Sequence, residues 1–151
     1  LALRSAGAGR RVLVLQFFKD GNSSEVKALK NFATVDVVEQ TRRFGFSWTL
    51  SEEELREAKA YYSSLLEDAM AKSKEYDLLV LDEAMSACTT GMIQEERLLE
   101  LLREKPAALE VVMTGRNPSQ ALIDQADYVT EMRKVKHPFD QGVPARLGVE
   151  F

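Results

Sequence analysis

Two carboxylates close a short apolar run near the middle of the chain, where Asp82 and Glu83 follow residues 78–81. The run predicts a buried strand, so both acidic side chains are expected at its carboxyl end. A carboxylate there can hold Mg²⁺, which prefers oxygen ligands and completes its shell with substrate phosphates. The same two residues can instead stabilise the positive N-terminal end of the following helix. The pattern alone leaves both interpretations open.

Two further strand ends carry polar side chains. The apolar run over residues 11–18 leaves Gln16 and Lys19 at its end, and the run "ALEVVMTGR" ends in Thr114, Gly115 and Arg116. The fork of an arginine matches phosphate oxygens, although an isolated arginine is more often a surface ion-pair partner. Because ligands gather at the carboxyl ends of parallel strands, we expect these strand ends to form one site.

Strands and helices alternate along the sequence. Apolar stretches predict five strands, over residues 11–18, 34–38, 78–81, 108–116 and 127–135. Helical periodicity and stop signals predict helices over 25–32, 52–74, 93–106 and from about 118 onward. The long helix is expected to begin at a capping box of Ser51 and Glu54. We therefore predict a single α/β domain over residues 1–151: a three-layer, mostly parallel sheet with helices on both faces.

Composition excludes several classes of protein. With 151 residues, 45% hydrophobic and 29% charged, the chain is long and apolar enough to form one folded domain. A net charge of −4 argues against a broad nucleic-acid surface. The single Cys88 excludes an internal disulfide and a multi-cysteine zinc site, and fits a reducing cytosol. The sequence contains no apolar run of 18 residues. We expect a cytoplasmic protein that binds neither membrane nor nucleic acid.

A buried strand that ends in Asp-Glu is also the Walker B pattern of P-loop nucleotide-binding proteins. The phosphate-binding motif G-x-x-x-x-G-K-[ST] does not occur in residues 1–151. The chain opens with "LALRSAGAGRR", which is typical of the second half of a helix. In a P-loop fold that helix follows the phosphate loop, so we expect the first strand and the loop upstream of Leu1.

Three aromatic residues lie between the second strand and the long helix, in "RRFGFSWTL". Phe44, Phe46 and Trp48 fall in a predicted connecting loop, where backbone is usually at the surface. Composition favours a local cluster packed on the long helix. The alternative is that some of these side chains contact a ligand.

Five segments together resemble one family, the P-loop ATP:corrinoid adenosyltransferases. They are "LALRSAGAGRRVLVLQFFKD", "GFSW", "DLLVLDE", "LEVVMTGRNPSQALIDQADYVTEM" and "VKHPFDQGVPARLGVEF", in family order and over nearly the whole chain. The resemblance implies that Co(I) of a reduced corrinoid attacks the 5′ carbon of ATP and that triphosphate leaves, with Mg²⁺ as cofactor. It also implies a homodimer and a reduced flavin or an electron-donor protein as the source of the electron.

The same resemblance implies residue roles. Glu83 matches the magnesium-associated acidic residue, with Asp82 in support, and Arg4 and Arg116 match positions near the nucleotide. Lys19, Lys136, His137 and Asp140 match positions expected to line the active site, without a catalytic role assigned to His137.

Phe46 and Trp48 match the aromatic pair on the lower face of the corrinoid. Side chains there exclude an axial ligand, which makes Co(II) easier to reduce to Co(I); Phe44 is expected in the core. Two alternatives remain open from the residues themselves: a RecA-like P-loop ATPase domain and a non-catalytic module that binds a corrinoid or a nucleotide.

Overall fold

Four parallel strands form the centre of the fold. The computed structural model describes residues 1–19, 23–45 and 47–149. The strands are β1 Val12–Gln16, β2 Val35–Val37, β3 Leu78–Asp82 and β4 Glu110–Met113. They lie in the order β2-β1-β3-β4, so β1 and β3 occupy the middle of the sheet. This α/β arrangement confirms the predicted fold class.

The continuous apolar run of β1 is explained by burial on both faces. Val12 and Val14 join a cluster with Ala6 of the first helix, while Leu13 and Leu15 are fully buried. Successive side chains of a strand point to opposite faces, so the leucines lie on the side away from that cluster. A strand buried on both faces has no polar side to alternate with.

The described part of the chain contains six α-helices: α1 Ala2–Gly7, α2 Ser24–Leu29, α3 Glu52–Lys72, α4 Ala84–Thr89, α5 Glu95–Glu104 and α6 Gln120–Gln125. Short 3-10 helices cover Ser47–Thr49, Ser73–Glu75 and Pro138–Gln141. The helix α4, directly after β3, lies outside every helix range that the sequence predicts. None of these helices combines the length and apolar character needed to cross a bilayer.

The predicted capping box starts α3. The Ser51 hydroxyl accepts a hydrogen bond from the backbone N–H of Glu54 at 3.3 Å, and the Glu54 carboxylate accepts one from the backbone N–H of Ser51 at 2.8 Å. Two N–H groups that the helix leaves without partners are satisfied in this way. The cap fixes the point at which the aromatic loop ends.

Two compact units divide the chain, Leu1–Pro118 and Ser119–Phe151. The first unit contains the whole four-stranded sheet. The single domain over 1–151 stays a prediction.

The fifth predicted strand is wrong. Residues 127–135 adopt no strand, and their large apolar side chains are exposed, including Tyr128 at 94% and Met132 at 95%. A β-favouring sequence becomes a strand only when it pairs with a neighbour and buries one face. None of the described strands pairs with this segment, so it forms no β ladder.

Candidate active site at the carboxyl edge of the sheet

Polar side chains from all four strand ends lie along the carboxyl edge of the sheet. Gln16 ends β1 and Lys19 lies three residues beyond it, Asp82 ends β3, and Thr114 follows β4. Gln40 comes shortly after β2 and donates a hydrogen bond from Nε2 to the backbone carbonyl of Gln16. The expected convergence of the strand ends is therefore present within the first compact unit.

Asp82 is held from both neighbouring strands. It lies opposite Gln16 in the β1–β3 register, and Gln16 Nε2 donates to its Oδ2 at 3.1 Å. Lys19 Nζ is 3.2 Å from the same oxygen. From the other side, the Thr114 hydroxyl donates to Oδ1 at 2.7 Å. Both carboxylate oxygens thus have protein partners, and the negative charge is paired with a cation.

Glu83 is engaged differently. Its backbone is in the left-handed region, with φ at 61°, and its N–H donates to the Thr114 hydroxyl at 3.0 Å. Its Oε2 accepts a hydrogen bond from the Ser86 hydroxyl at 2.5 Å. Although Glu83 occupies the N-cap position of α4, its side chain makes no capping hydrogen bond to the helix backbone. The observed contacts give no support to the capping interpretation for Glu83, and they leave Oε1 without a hydrogen-bond partner among the described residues.

A second carboxylate, Glu25 of α2, pairs with Lys19. Lys19 Nζ is 2.9 Å from Glu25 Oε1, and Gln16 Nε2 donates to that oxygen at 3.1 Å. Partial burial disfavours the charged form of Glu25, but the hydrogen bonds from Lys19, from its own backbone, from Ser23 and from Gln16 prevail and lower its pKa to about 2. Burial likewise opposes the charge on Lys19, yet its contacts with Glu25 and Asp82 raise its pKa. Lys19 is therefore a cation at neutral pH.

Strained backbone is concentrated at this edge. The described non-glycine residues with positive φ are Phe18 at 62°, Glu83 at 61° and Asn117 at 54°, and each lies shortly after β1, β3 or β4. Such conformations persist only where the surroundings enforce them, and they cluster at functional sites. The strain marks the same three strand ends that the sequence selected.

The donor set fits Mg²⁺ in the form of a nucleotide complex. Within the described ranges, no three His, Cys, Asp or Glu side chains are grouped to hold a metal ion by themselves. Mg²⁺ usually takes one or two protein carboxylates and completes its octahedron with water and substrate phosphates. Glu83, with one carboxylate oxygen outside the hydrogen-bond network, suits that role better than Asp82, whose oxygens are both occupied.

The arginines predicted near the nucleotide differ in position. Arg116 is exposed and follows β4 at the carboxyl edge, two residues after Thr114. Arg4 is exposed on α1. The hydrogen bonds and ion pairs described at this edge involve neither guanidinium, so the roles of Arg4 and Arg116 stay predictions.

The aromatic loop is anchored on α3 at its first half. The Phe44 ring packs against Tyr61 and Tyr62, with centroids 5.7 and 5.9 Å apart, and the Arg42 guanidinium lies 4.9 Å from its centroid. Arg42 also pairs with Glu57. Phe44 therefore packs on the long helix, as expected.

The remaining aromatics have other surroundings. Trp48 lies in the 3-10 helix Ser47–Thr49 and is 77% exposed. Phe46 lies outside the described residues. The assignment of this pair to the lower face of a corrinoid stays a prediction, and the exposed indole is compatible with it.

The candidates from the second unit make local contacts. His137 accepts a hydrogen bond on Nδ1 from the backbone N–H of Phe139 at 3.1 Å and so caps the 3-10 helix that follows. Asp140 pairs with Lys134 Nζ at 2.9 Å, and Lys136 is exposed. Their place in the active site stays a prediction.

Sequence reasoning gave no role to three residues that organise the strand-end network: Glu25, Ser86 and Thr114. Thr114 was noted only as part of a strand end. The sequence carried a signal for Thr114, because Asp82 and Thr114 each directly follow the apolar run of a predicted strand. The structure pairs the last residues of those runs, Leu81 and Met113, in register. Glu25 and Ser86 had no comparable signal, since their contacts depend on how short helices are placed.

Comparison with known proteins agrees with this geometry. The family model described as ATP:corrinoid adenosyltransferase BtuR/CobO/CobP matches residues 1–151. A corrinoid adenosyltransferase of Pseudomonas aeruginosa is 33% identical over 151 residues, which cover 100% of this chain and 74% of the relative. The corrinoid adenosyltransferase of Escherichia coli K12 and the corrinoid adenosyltransferase CobA of Salmonella typhimurium are each 30% identical, over 99% of this chain and 76% of their own length. The chain belongs to the ATP:corrinoid adenosyltransferase family.

Proposed function

We infer that this chain carries out the reaction of its family, the transfer of the 5′-deoxyadenosyl group of ATP to the Co(I) of a corrinoid. The observation that carries the inference is the family match over all 151 residues. The strand-end network supports it, because a carboxylate, a cation and an exposed arginine lie at the carboxyl edge of the sheet, where parallel α/β folds bind their ligands.

The reaction is an alkyl transfer. A cobalt-centred electron pair of Co(I) forms a bond to C5′ of the ribose, and the bond between C5′ and the triphosphate oxygen breaks. That oxygen leaves with the bonding electrons, and cobalt becomes formally Co(III). No phosphoryl group is transferred, so the site's tasks are to aim C5′ at cobalt and to stabilise a highly charged leaving group.

We assign Glu83 to Mg²⁺ and Asp82 to a supporting role. When bound, Mg²⁺ supplies positive charge that stabilises the departing triphosphate. Glu83 has the carboxylate oxygen that the described hydrogen bonds leave available, whereas Asp82 is 3.2 Å from the Lys19 ammonium, which it shares with Glu25. The ion pair with Lys19 partly offsets the repulsion between Asp82 and the triphosphate.

Arg116 is assigned to the phosphates of ATP. It is exposed and follows β4 at the carboxyl edge, and the fork of a guanidinium matches phosphate oxygens. Arg4 is assigned to the nucleotide on the family resemblance alone, and the same holds for Lys136, His137 and Asp140 as lining residues.

Phe46 and Trp48 are assigned to the lower face of the corrinoid. Both belong to the segment between Phe44, packed on α3, and Ser51, the cap of α3. The described residues on either side of this segment are held at Phe44 and at Ser51, and Trp48 lies between these anchors with its side chain exposed. A bulky side chain that cannot ligate cobalt keeps water or a base away from the axial position.

The finer features of the function follow from the resemblance. We propose ATP:cob(I)alamin adenosyltransferase activity (EC 2.5.1.17), a homodimer, a cytoplasmic location, and a reduced flavin or an electron-donor protein that delivers the electron.

The function is tested with the intact protein, ATP, Mg²⁺ and chemically reduced cobalamin. The visible spectrum is expected to change to that of adenosylcobalamin, and omission of ATP is expected to abolish the change. Steady phosphate release without adenosylcobalamin would identify an ATPase instead.

A further inference from the structure

One hydroxyl connects the two acidic residues of the strand end. The Thr114 Oγ1 donates its hydrogen to Asp82 Oδ1 at 2.7 Å and accepts the backbone N–H of Glu83 at 3.0 Å. A threonine hydroxyl has one proton to give, and here that proton goes to the carboxylate while a lone pair receives the amide. The two contacts are chemically compatible, so Thr114 can make both together.

The contact with Glu83 acts on strained backbone. Glu83 has φ at 61°, a conformation that non-glycine residues adopt only when their surroundings enforce it. Its amide points at the Thr114 hydroxyl instead of at a helix or strand carbonyl. Without the Thr114 hydroxyl, the backbone N–H of Glu83 would lose this hydrogen bond, and the turn that orients the Glu83 side chain would be less firmly held.

The next residue lets β4 come this close to α4. A Cβ added to Gly115 would lie 2.8 Å from Cβ and 3.0 Å from the backbone nitrogen of Met85, and the φ of Gly115 is 144°. Met85 N–H donates to the Thr114 carbonyl at 3.3 Å. Only a glycine fits this approach, and the approach brings Thr114 within reach of the start of α4.

We propose that Thr114 is a positioning residue for the adenosyl transfer site. It holds Asp82 and Glu83 in the arrangement that binds the magnesium complex of ATP, and Gly115 permits the close approach on which this depends. The inference rests on the proposed function, because it assigns Glu83 to Mg²⁺. Thr114 itself touches neither the metal nor the cobalt in this role.

The test compares Thr114→Val, which keeps the shape and removes the hydroxyl, with Thr114→Ser, which keeps the hydroxyl. Binding of Mn²⁺ to the intact protein in the presence of ATP is measured by electron paramagnetic resonance. Residues that orient a metal ligand typically contribute 10- to 100-fold to metal affinity, so T114V is expected to weaken Mn²⁺ binding by about tenfold or more. T114S is expected to retain most of the affinity, and the KM for the corrinoid is expected to be the same in both variants.

Thermal melting of both variants separates positioning from folding. If T114V does not fold, Thr114→Ala carries the same expectation. Wild-type affinity in T114V, or an equal loss in T114S, would overturn the inference. Glu83→Gln tests the proposed function separately: wild-type Mn²⁺ affinity in E83Q would contradict the assignment of Glu83, whatever T114V does.

Discussion

Truncation of Trp48 should separate the reduction of cobalt from the transfer of the adenosyl group. In the proposed function, the indole keeps water or a base from the lower axial position. Trp48→Ala opens that position, so an axial donor raises the energy of the orbital that must accept the electron. Co(II) then becomes harder to reduce, whereas Co(I), once formed, needs no axial exclusion.

The structure limits the effect of Trp48→Ala on stability. A tryptophan side chain buries at most about 250 Å², and Trp48 is 77% exposed. Roughly 60 Å² is therefore covered, which corresponds to about 1.5 kcal/mol at ~25 cal/mol per Å². In a chain of this size the Tm should fall by no more than about 6 °C. A loss of activity at a temperature well below the Tm therefore reflects the role of Trp48 in the reaction and not unfolding.

The assay measures two rates in parallel, one from Co(II) cobalamin with a mild reductant and one from preformed Co(I). A fall of about 59 mV in the Co(II)/Co(I) reduction potential lowers the equilibrium constant for this one-electron reduction about tenfold. The rate from Co(II) should therefore fall by about that factor or more. The reaction from Co(I) should change by less than about threefold, or about 0.65 kcal/mol. Trp48→Phe should lose less than W48A, and Trp48→His should lose more from Co(II), since imidazole ligates cobalt. Equal losses from Co(II) and from Co(I) in W48A would refute the axial role.

Three further predictions concern stability. Ser51→Ala removes the reciprocal contact with Glu54 and should cost about 1 kcal/mol in the free energy of unfolding, measured by urea titration. Glu25→Gln should lower the free energy of unfolding by about 1 kcal/mol at pH 7, because the contacts that lower the pKa of Glu25 to about 2 are partly screened by water. The stabilisation by the Glu25 charge is complete above pH 4.5 and is lost as the pH falls toward 2. Gly115→Ala should lower the free energy of unfolding by more than about 2 kcal/mol, because the added Cβ meets the backbone of Met85 and the φ of 144° is unsuitable for alanine. Gly7→Ala is the control: its added Cβ meets nothing within 4 Å, so the free energy of unfolding should stay the same or rise.

Each of these stability predictions has a control variant or a result that would contradict it. Ser64→Ala, an exposed serine inside α3, is the control for the cap and should change stability by less than about 0.5 kcal/mol. The wild-type and E25Q stabilities should converge as the pH falls to about 2; a constant difference would mean that Glu25 stabilises through packing and not through its charge. Equal melting temperatures for G115A and G7A would contradict the tight approach of β4 to α4.

Much of the fold could be read from local patterns. The continuous apolar runs of β1 and β3 and the capping box of α3 each carry a signal within a few residues, and the structure confirms them. The predicted strand over 127–135 fails because strand formation depends on a partner elsewhere in the chain, which a local pattern cannot report.

The sequence predicted that the strand ends lie together, but not how their side chains contact one another. The strand ends identified Asp82, Glu83 and Arg116, since a parallel sheet brings its carboxyl ends together. The double role of the Thr114 hydroxyl could not be read, because it depends on the left-handed backbone of Glu83 and on the close approach at a glycine.

The identity of the leaving group tests the central claim most directly. Phosphorus NMR of the intact protein with ATP, Mg²⁺ and Co(I) cobalamin would follow the phosphates while the visible spectrum follows the corrinoid. The proposed function predicts one intact triphosphate for each adenosylcobalamin formed. Release of phosphate and ADP, with no cobalt–carbon bond, would contradict it.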